Sequence, residues 1–259
     1  MTHSAPMPEH QVGSESLIDR TFRVLEAVVD AAGPVGPRGL ARSTGIDRSA
    51  VGRILQHLAD LDVLERSDRG YVPGGRLFTL ARVLEARDTL PLAIGPVLGA
   101  LVERFDETCY ACAYHGEVAI FTHEVQSTKP LRFVVQLGHP VPLHAGAAGR
   151  AILAGLPSDS LPAVLGDEPL PRLTPATITD PAALIENAAE DRARGYTVSR
   201  EERVPGGASV AAPFFDHAGR CQGSVVFTAP VSRLDEDMID EIGQAVAEAA
   251  RTLSMRLRR

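Results

Sequence analysis

Residues 37–72 decide the fold of the first part of the chain, and they read PRGLARSTGIDRSAVGRILQHLADLDVLERSDRGYV. The spacing of apolar and turn-forming residues predicts a short helix over 38–44 that stops at Gly45, then a second helix over 48–60. Asp47 stands where the N-cap of the second helix is needed. The last nine residues predict two short extended pieces around an Asp-Arg-Gly turn. Two helices followed by a hairpin predict a winged helix-turn-helix.

The second helix has one apolar and one polar face. Its apolar residues recur at helical spacing and should be buried: Val51, Ile54, Leu55, Leu58 and Leu61. At about 100° per residue the opposite face collects polar side chains and a glycine, and the flanking segments add arginines. A helix that buries apolar residues and exposes Arg, Ser and Gln suits a DNA major groove. The predicted DNA contacts are Arg38, Arg48, Ser49, Gly52, Arg53, Gln56, Arg66 and Arg69.

An ordinary helical bundle is the alternative interpretation of this helix pair. The hairpin argues against a bundle, because a polar hairpin with two arginines has no use in a core. Gly52 also argues against it, since Gly inside a helix costs roughly 1 kcal/mol relative to Ala. A missing side chain on the outward face would let a base or phosphate come close, although a loose helix position would give the same pattern.

The composition sets limits on the class of protein. The chain has 259 residues, 44% of them hydrophobic, which is enough for two domains with their own cores. No apolar run is long enough for a membrane span, and residues 1–13 are expected to be a disordered tail rather than a signal peptide. Three cysteines cannot build a disulfide framework, which predicts a reducing cytoplasm.

The net charge of −7 is unevenly distributed. Residues 14–76 hold nine arginines and nine acidic residues, so this part is neutral and the remainder carries the excess acid. Most of these arginines fall on the predicted DNA side. The pattern therefore predicts a basic face on a neutral domain, which has the right sign for DNA.

Two helices flank the motif. Apolar residues between Leu17 and Val29 predict an amphipathic helix that packs on the helix over 48–60, the predicted recognition helix. After the hairpin, Leu77, Leu80 and Leu84 mark a connecting helix that cannot bury these residues alone, so we expect it to pair two copies of the chain. The predicted divisions are a tail over 1–13, a winged domain over 14–75, a linker helix over 76–90 and a second domain over 91–259.

The second domain alternates helices and strands. We expect helices over 92–105, 144–156 and 181–194 and from Asp235 onward. Strands are expected over 109–114, 117–123, 131–137, 196–200, 208–215 and 221–229. Hairpins interspersed with helices indicate an antiparallel α+β domain with its helices on one face of the sheet.

Three stretches resemble the IclR-type bacterial transcriptional regulators. They are GIDRSAVGRIL at 45–55, PLHAGAAGRA at 142–151, and RGY at 194–196 continuing to AAP at 211–213. The first is shared with many helix-turn-helix proteins, whereas the other two are more specific. The resemblance implies a winged domain, a linker helix and a C-terminal effector-binding domain with a GAF- or profilin-like sheet. It also implies dimers, often paired into tetramers, that control genes of small-molecule catabolism.

The resemblance further implies a ligand, typically a small organic acid or aromatic compound, between the sheet and the small-residue helix. The implied effector contacts are Ala147, Ala148, Ser199, Ser209, Val226 and Thr228. This chain departs from the family pattern, which often has an acidic residue at Ser199, a cysteine or similar residue at Ser209 and a serine at Val226. The departures predict a less polar site for a larger or aromatic ligand. Ala50 replaces a common threonine, which could remove a phosphate contact.

The sequence gives less support to a metal site, a redox pair or a catalytic site. Cys109 and Cys112 could form half a zinc site or a redox pair, but packed strand residues are the better interpretation. His139 and His144 have no acidic partner nearby in sequence, and His144 is expected to cap or hydrogen-bond the start of its helix. No catalytic set, metal or cofactor is predicted. We expect a ligand-responsive repressor that binds double-stranded DNA, with a redox-responsive DNA-binding switch as the alternative.

Overall fold

The structure is a computed structural model that describes residues 16–87 and 90–257, apart from the side chains of residues 84–92. The predicted tail over 1–13 lies outside the described residues. The chain divides into two compact units after residue 88. The finer division that separates a linker over 76–90 stays a prediction.

The first unit is the winged helix-turn-helix that the sequence predicts. Its elements are α1 (Leu17–Val29), α2 (Pro37–Thr44), α3 (Arg48–Asp60), β1 (Leu64–Ser67), β2 (Gly70–Pro73) and α4 (Gly75–Arg87). Gly45 ends α2 at φ 70°, a left-handed conformation that favours glycine. Asp47 caps α3 by accepting hydrogen bonds from the amides of Ser49 and Ala50.

A single small core holds this unit together. Val24 and Val28 of α1 pack with the buried apolar face of α3. Leu61 was expected in that face but is 44% exposed, because it is the C-cap residue where α3 has already ended. Of the other apolar residues predicted for the buried face of α1, Leu25 packs half-buried against this core and the rest are exposed. These exposed residues are Leu17, Ile18, Phe22 and Val29.

The second unit is built on one antiparallel sheet. Its helices are α5 (Leu90–Phe105), α6 (Ala147–Gly155), α7 (Leu161–Leu165), α8 (Pro181–Arg194) and α9 (Glu236–Arg256). Its strands are β3 (Thr108–His115), β4 (Val118–Val125), β5 (Pro140–Pro142), β6 (Thr197–Arg200), β7 (Gly207–Phe215) and β8 (Cys221–Pro230). The strand order is β5-β4-β3-β8-β7-β6, so the first and last strands of this sheet along the chain, β3 and β8, pair at its centre. The α+β fold class is confirmed.

Helices cover both faces of the sheet, so the expectation of helices on one face is wrong. Alternate residues of β8 show the reason, because Val225 and Phe227 pack with α5 and α9, whereas Val226 packs with α6 and α8. A sheet that is buried on both faces needs apolar residues at successive positions, and β8 has them.

Two further predictions about this unit are wrong. Residues 131–137 form no strand but an irregular segment, and the strand after it is β5. The helix predicted over 144–156 begins only at Ala147, because Gly146 has φ 88° and turns the chain just before it.

The small residues of α6 are required by close packing. A Cβ built on Gly149 would lie 2.5 Å from the Cα of Leu143, and one on Gly155 would lie 2.9 Å from the Cys221 sulfur. Eight consecutive residues of α6 from Ala147 onward are buried. Small side chains therefore let this helix lie directly on the sheet between the strands and α8.

Candidate DNA interface and effector pocket

The exposed face of α3 carries the side chains predicted to meet DNA. Arg48, Ser49, Arg53 and Gln56 are all exposed, and the core residues of the same helix are buried on the other side. Gly52 lies between them, and no atom of the surrounding protein comes within 4 Å of a Cβ built there. The protein's own packing therefore does not explain a glycine at this position.

Two of these polar side chains have partners within the protein. The Ser49 hydroxyl donates to the Asp47 carboxylate at 2.5 Å, and this hydrogen bond holds the pKa of Asp47 below its usual range. The Gln56 amide donates to Asp60 at 2.8 Å. Both bonds would have to open or be shared before these side chains contacted a base. The arginines on this face are thus the freer groups for recognition.

The wing is a β1–β2 hairpin that exposes its two arginines. Arg66 lies in β1 and Arg69 in the turn, and both are exposed. The hairpin is held by a bridge between Val35 and Tyr71. The Tyr71 amide donates to the Val35 carbonyl at 2.9 Å, and the Val35 amide donates to the Tyr71 carbonyl at 3.1 Å. Arg38 is exposed at the start of α2. The side chains predicted to contact DNA are therefore all accessible, and their role in binding stays a prediction.

The predicted effector residues lie together where α6 begins. Ser199, Ser209 and Thr228 are register neighbours across β6, β7 and β8, so their side chains form one row. Thr228 lies on the same face of β8 as Val226, which packs against α6. The amide of Ala147 donates to the Ser209 hydroxyl at 3.4 Å, which joins the helix start to the row.

One hydroxyl of this row lacks a partner. Within the described residues, the buried Thr228 Oγ1 makes no hydrogen bond. An unsatisfied buried polar atom costs free energy, and a ligand could supply the missing partner. The start of α6 adds the positive end of a helix dipole to the same place. These groups favour a ligand that carries hydrogen-bond acceptors.

The structure adds aromatic and basic residues that sequence reasoning missed. Tyr110 and Phe121 meet edge to face at 5.3 Å between ring centroids. The Tyr110 hydroxyl donates to the Phe133 carbonyl at 3.0 Å and accepts from the Val135 amide at 3.1 Å. These bonds hold the 131–137 segment over the wall that the rings of Tyr110 and Phe121 form. The Arg203 guanidinium lies over the Phe121 ring, with its Cζ 5.3 Å from the centroid. An assignment of residues 131–137 to a loop is the one sequence signal that could have indicated a segment lying over these rings.

A buried ion network lies directly behind the pocket. Arg150 of α6 pairs with Asp191 of α8 at 3.1 Å and with Glu202 at 2.6 Å. Glu202 also accepts from the Gly146 amide at 3.1 Å, and Asp191 accepts from the Thr197 hydroxyl at 2.9 Å. Burial raises the pKa of both carboxyl groups, and the Arg150 charge opposes this effect. The network ties the start of α6 to the loop between β6 and β7.

The cysteines and His144 are packed residues. Cys109 and Cys112 belong to the cores on opposite faces of the sheet, so β3 points their thiols apart. Burial raises the pKa of Cys112 to about 12 and that of Cys221 to about 11. The buried His144 hydrogen-bonds the Pro171 carbonyl at 2.8 Å and does not cap α6, whose N-cap is Gly146. Within 16–87 and 90–257 no cluster of potential metal ligands occurs.

A separate open cleft of about 850 Å³ lies at the other end of α6, lined by Gly155, Arg192 and Cys221 among others. Arg192 already donates to the α6 carbonyls of Ala154 and Leu156. No predicted site residue lines this cleft. Its arginine acts as a cap of the helix end.

A winged helix-turn-helix joined to a sheet domain with a row of hydroxyls beside a helix start is the architecture of a DNA-binding transcriptional regulator. None of the helices in the described ranges combines the length and apolarity that crossing a bilayer requires. Residues 17–68 match the IclR helix-turn-helix domain, and residues 83–255 match the family described as bacterial transcriptional regulator IclR C-terminal. The chain belongs to the IclR family.

Similar proteins support this assignment. The HTH-type transcriptional regulator BhcR of Paracoccus denitrificans is 31% identical over 93% of this chain and 87% of its own length. The HTH-type transcriptional repressor AllR of Salmonella typhimurium is 29% identical over 96% of this chain and 92% of its own length. The fold also matches the crystal structure of an IclR homolog complexed with 4-hydroxybenzoate from Microbacterium hydrocarbonoxydans, with a TM-score of 0.75, 22% identity, and coverage of 93% and 100%.

Proposed function

We propose that this regulator is a repressor that binds a palindromic operator as a dimer or tetramer in the cytoplasm and responds to a small organic or aromatic acid. The single observation that carries the proposal is the exposed face of α3. This face presents arginines and Gly52, and the opposite face of the same helix is buried. The repressor AllR, which matches nearly the full chain, supports the negative sign of regulation.

Exposed apolar side chains support self-association through the first unit. On α4, Phe78 is 63% exposed, Leu80 53% and Val83 44%. The four exposed apolar residues of α1 belong to the same unit. A folded monomer rarely leaves so many large apolar residues in water, and a second copy of the chain could bury them. Two paired recognition helices would then require an inverted repeat in the operator. Leu84, which was expected in this interface, has its side chain outside the described residues.

The composition of the pocket supports an acid with an apolar body. The row of Ser199, Ser209 and Thr228 and the start of α6 offer hydrogen bonds, whereas Val226 and the Tyr110 wall are apolar. Pockets with few placed polar groups and mostly apolar walls suit small organic ligands. The 4-hydroxybenzoate complex of the Microbacterium homolog adds support for an aromatic acid.

The effector must favour one arrangement of the dimer, since a ligand with equal affinity for two states shifts neither. The buried Arg150 network offers a path, because it links the pocket at Gly146 to α8 and to the β6–β7 loop. A movement of the start of α6 on ligand binding would therefore also displace α8 and the β6–β7 loop. We infer that this coupling, rather than direct contact with DNA, transmits the effector signal.

DNA selection from a random pool with the full-length protein tests the proposal. We expect an inverted repeat, bound by a species of at least dimer mass in light scattering, and released when the effector is added. Ala148→Trp should fill the pocket and abolish release while operator affinity stays unchanged. A monomer bound to a non-palindromic site, or full effector response in the Ala148 variant, would contradict the proposal.

The redox switch remains the second candidate, and the structure gives it little support. A sensor thiol must be accessible and partly ionised, whereas all three thiols are buried and their pKa values are raised.

A further inference from the structure

Arg203 occupies an unusual position for a charged residue. It lies in the loop between β6 and β7, and a Cβ built on Gly146 would come 3.5 Å from the Arg203 Cβ. Its side chain therefore passes the N-cap of α6, and its guanidinium ends over the Phe121 ring. Burial lowers the pKa of the guanidinium, and its nearest titratable neighbours are Cys112 and Tyr110 rather than carboxylates.

The acidic residues beside Arg203 in sequence are engaged elsewhere. Glu202 is bound to Arg150 and to the Gly146 amide. Glu201 accepts from the Gly206 amide at 2.7 Å on the exposed side of the loop. Among the described residues, Arg203 makes no ion pair, and its half-buried side chain leaves the guanidinium between the face of the Phe121 ring and solvent. The ring face attracts the cation but offers no hydrogen-bond acceptor in the plane of the guanidinium, so the N–H groups of Arg203 stay available to a ligand.

The backbone that carries Arg203 is held firmly. The carbonyl of Glu202 accepts from the hydroxyls of Thr174 and Thr177 at 3.1 and 2.6 Å, and the Glu202 side chain is held by the Arg150 network. These contacts fix the backbone from which the Arg203 side chain extends to the Phe121 ring. A charged group held in place without a counter-ion is prepared for an anionic ligand, because little ordering remains to be done on binding.

We propose that Arg203 makes the pocket selective for a carboxylate-bearing effector, whose carboxylate pairs with the guanidinium and whose apolar body lies against Tyr110 and Phe121. This inference rests on the effector pocket proposed above. The planar guanidinium can bind a carboxylate through two parallel hydrogen bonds, which a neutral amide of the same shape cannot match. The positive end of α6 beside Gly146 adds to the same preference.

The test uses matched pairs of acid and primary amide on the full-length protein. Benzoate and benzamide, 4-hydroxybenzoate and 4-hydroxybenzamide, and pyruvate and pyruvamide are screened by thermal shift at millimolar concentration, and the compounds that bind are titrated by calorimetry. We expect at least one acid to stabilise the protein and its amide to fail. Arg203→Gln should weaken the binding of that acid by about 10- to 100-fold, the loss expected for charge-assisted hydrogen bonds.

Arg200→Gln is the matched control. It removes the same charge three residues earlier in the chain, where Arg200 forms an exposed ion pair with Glu236. It should bind the acid like wild type. If Arg203→Gln also binds like wild type while Ala148→Trp abolishes binding, the pocket stands and the role of Arg203 is overturned. If neither substitution affects binding, both proposals fail. Equal binding of acids and amides, or no stabilisation by any of the acids, would likewise overturn the selectivity proposed for Arg203.

Discussion

The two helices α3 and α6 use their sequences in opposite ways. α3 buries one face and leaves Arg48, Arg53 and Gly52 on the other, where the protein itself makes no use of the space around Gly52. α6 has no free face, and its glycines are set against Leu143 and Cys221. A glycine in α3 therefore leaves room for a partner, whereas a glycine in α6 makes room for the protein itself.

The difference shows that residue type alone does not distinguish a binding surface from a packing surface. Both helices contain small residues and arginine, yet Arg53 is exposed and Arg150 is enclosed by carboxylates. Burial converts the arginine of α6 into a structural tie behind the pocket. Exposure leaves the arginine of α3 available for DNA.

Removal of the buried arginine should have the largest effect. Arg150→Ala leaves the carboxylates of Asp191 and Glu202 buried without their shared partner, which costs about 3–5 kcal/mol of stability. Urea unfolding of the second unit, followed by circular dichroism, measures the loss. Arg104→Ala is the control, because its exposed ion pair with Glu241 contributes only about 0–1 kcal/mol. Equal losses in both variants would mean that the Arg150 network is solvated and contributes little.

The same Gly-to-Ala change should have opposite signs in the two helices. Gly149→Ala places a methyl group 2.5 Å from the Leu143 backbone, so it should destabilise the second unit by about 1–3 kcal/mol. Gly52→Ala meets no protein atom and should stabilise α3 by about 1 kcal/mol through helix propensity. Thermal unfolding of both variants checks the signs. Operator affinity should fall in the Gly52 variant despite its higher stability, and unchanged affinity would remove Gly52 from the interface.

The arginines of the first unit should separate base reading from phosphate contact. Arg53→Ala should cost about 1–3 kcal/mol on the selected operator and relax specificity at one position, as expected for a guanine contact. Arg66→Ala or Arg69→Ala in the wing should weaken binding to all sequences and reduce the salt slope by about one unit. Fluorescence anisotropy at several salt concentrations measures both effects. Wild-type affinity in the Arg53 variant would exclude that residue from the contacts.

The smallest effect is expected at the thiols. Because burial keeps Cys109, Cys112 and Cys221 protonated, iodoacetamide at pH 8 should not alkylate them in the folded protein. Mass spectrometry before and after unfolding measures this protection. A variant with all three cysteines changed to alanine should keep its effector response. Rapid native alkylation, together with loss of an oxidant response in that variant, would revive the redox switch.

Much of the first unit could be predicted from the sequence. The bounds of α3, the Asp47 cap and the Gly45 stop are local features, since each depends on residues within one or two helical turns. The partial failure on α1 concerned which apolar residues would find space in a small core, and periodicity carries no information about available volume.

The proposed effector pocket could be predicted only in part. The resemblance indicated the hydroxyl row and the start of α6, which the strand register does bring together. Arg203 and Phe121 were missed, because they are more than eighty residues apart and lie on segments whose patterns give no sign of their contact. The segment over 131–137 was misassigned as a strand, because its alternation of apolar residues imitates one.

The sequence by itself determined the winged motif, most of the order of helices and strands and the family, because caps, turns and hydrophobic periods act over short distances. Only the tertiary structure decided that α6 is buried on every side, that Arg150 is a structural ion and that Arg203 is not neutralised. Those outcomes depend on which distant carboxylates reach each arginine and on how much water remains around it. Electrostatic and desolvation energies are set by the fold, so the chemistry of the pocket follows from packing that no local pattern encodes.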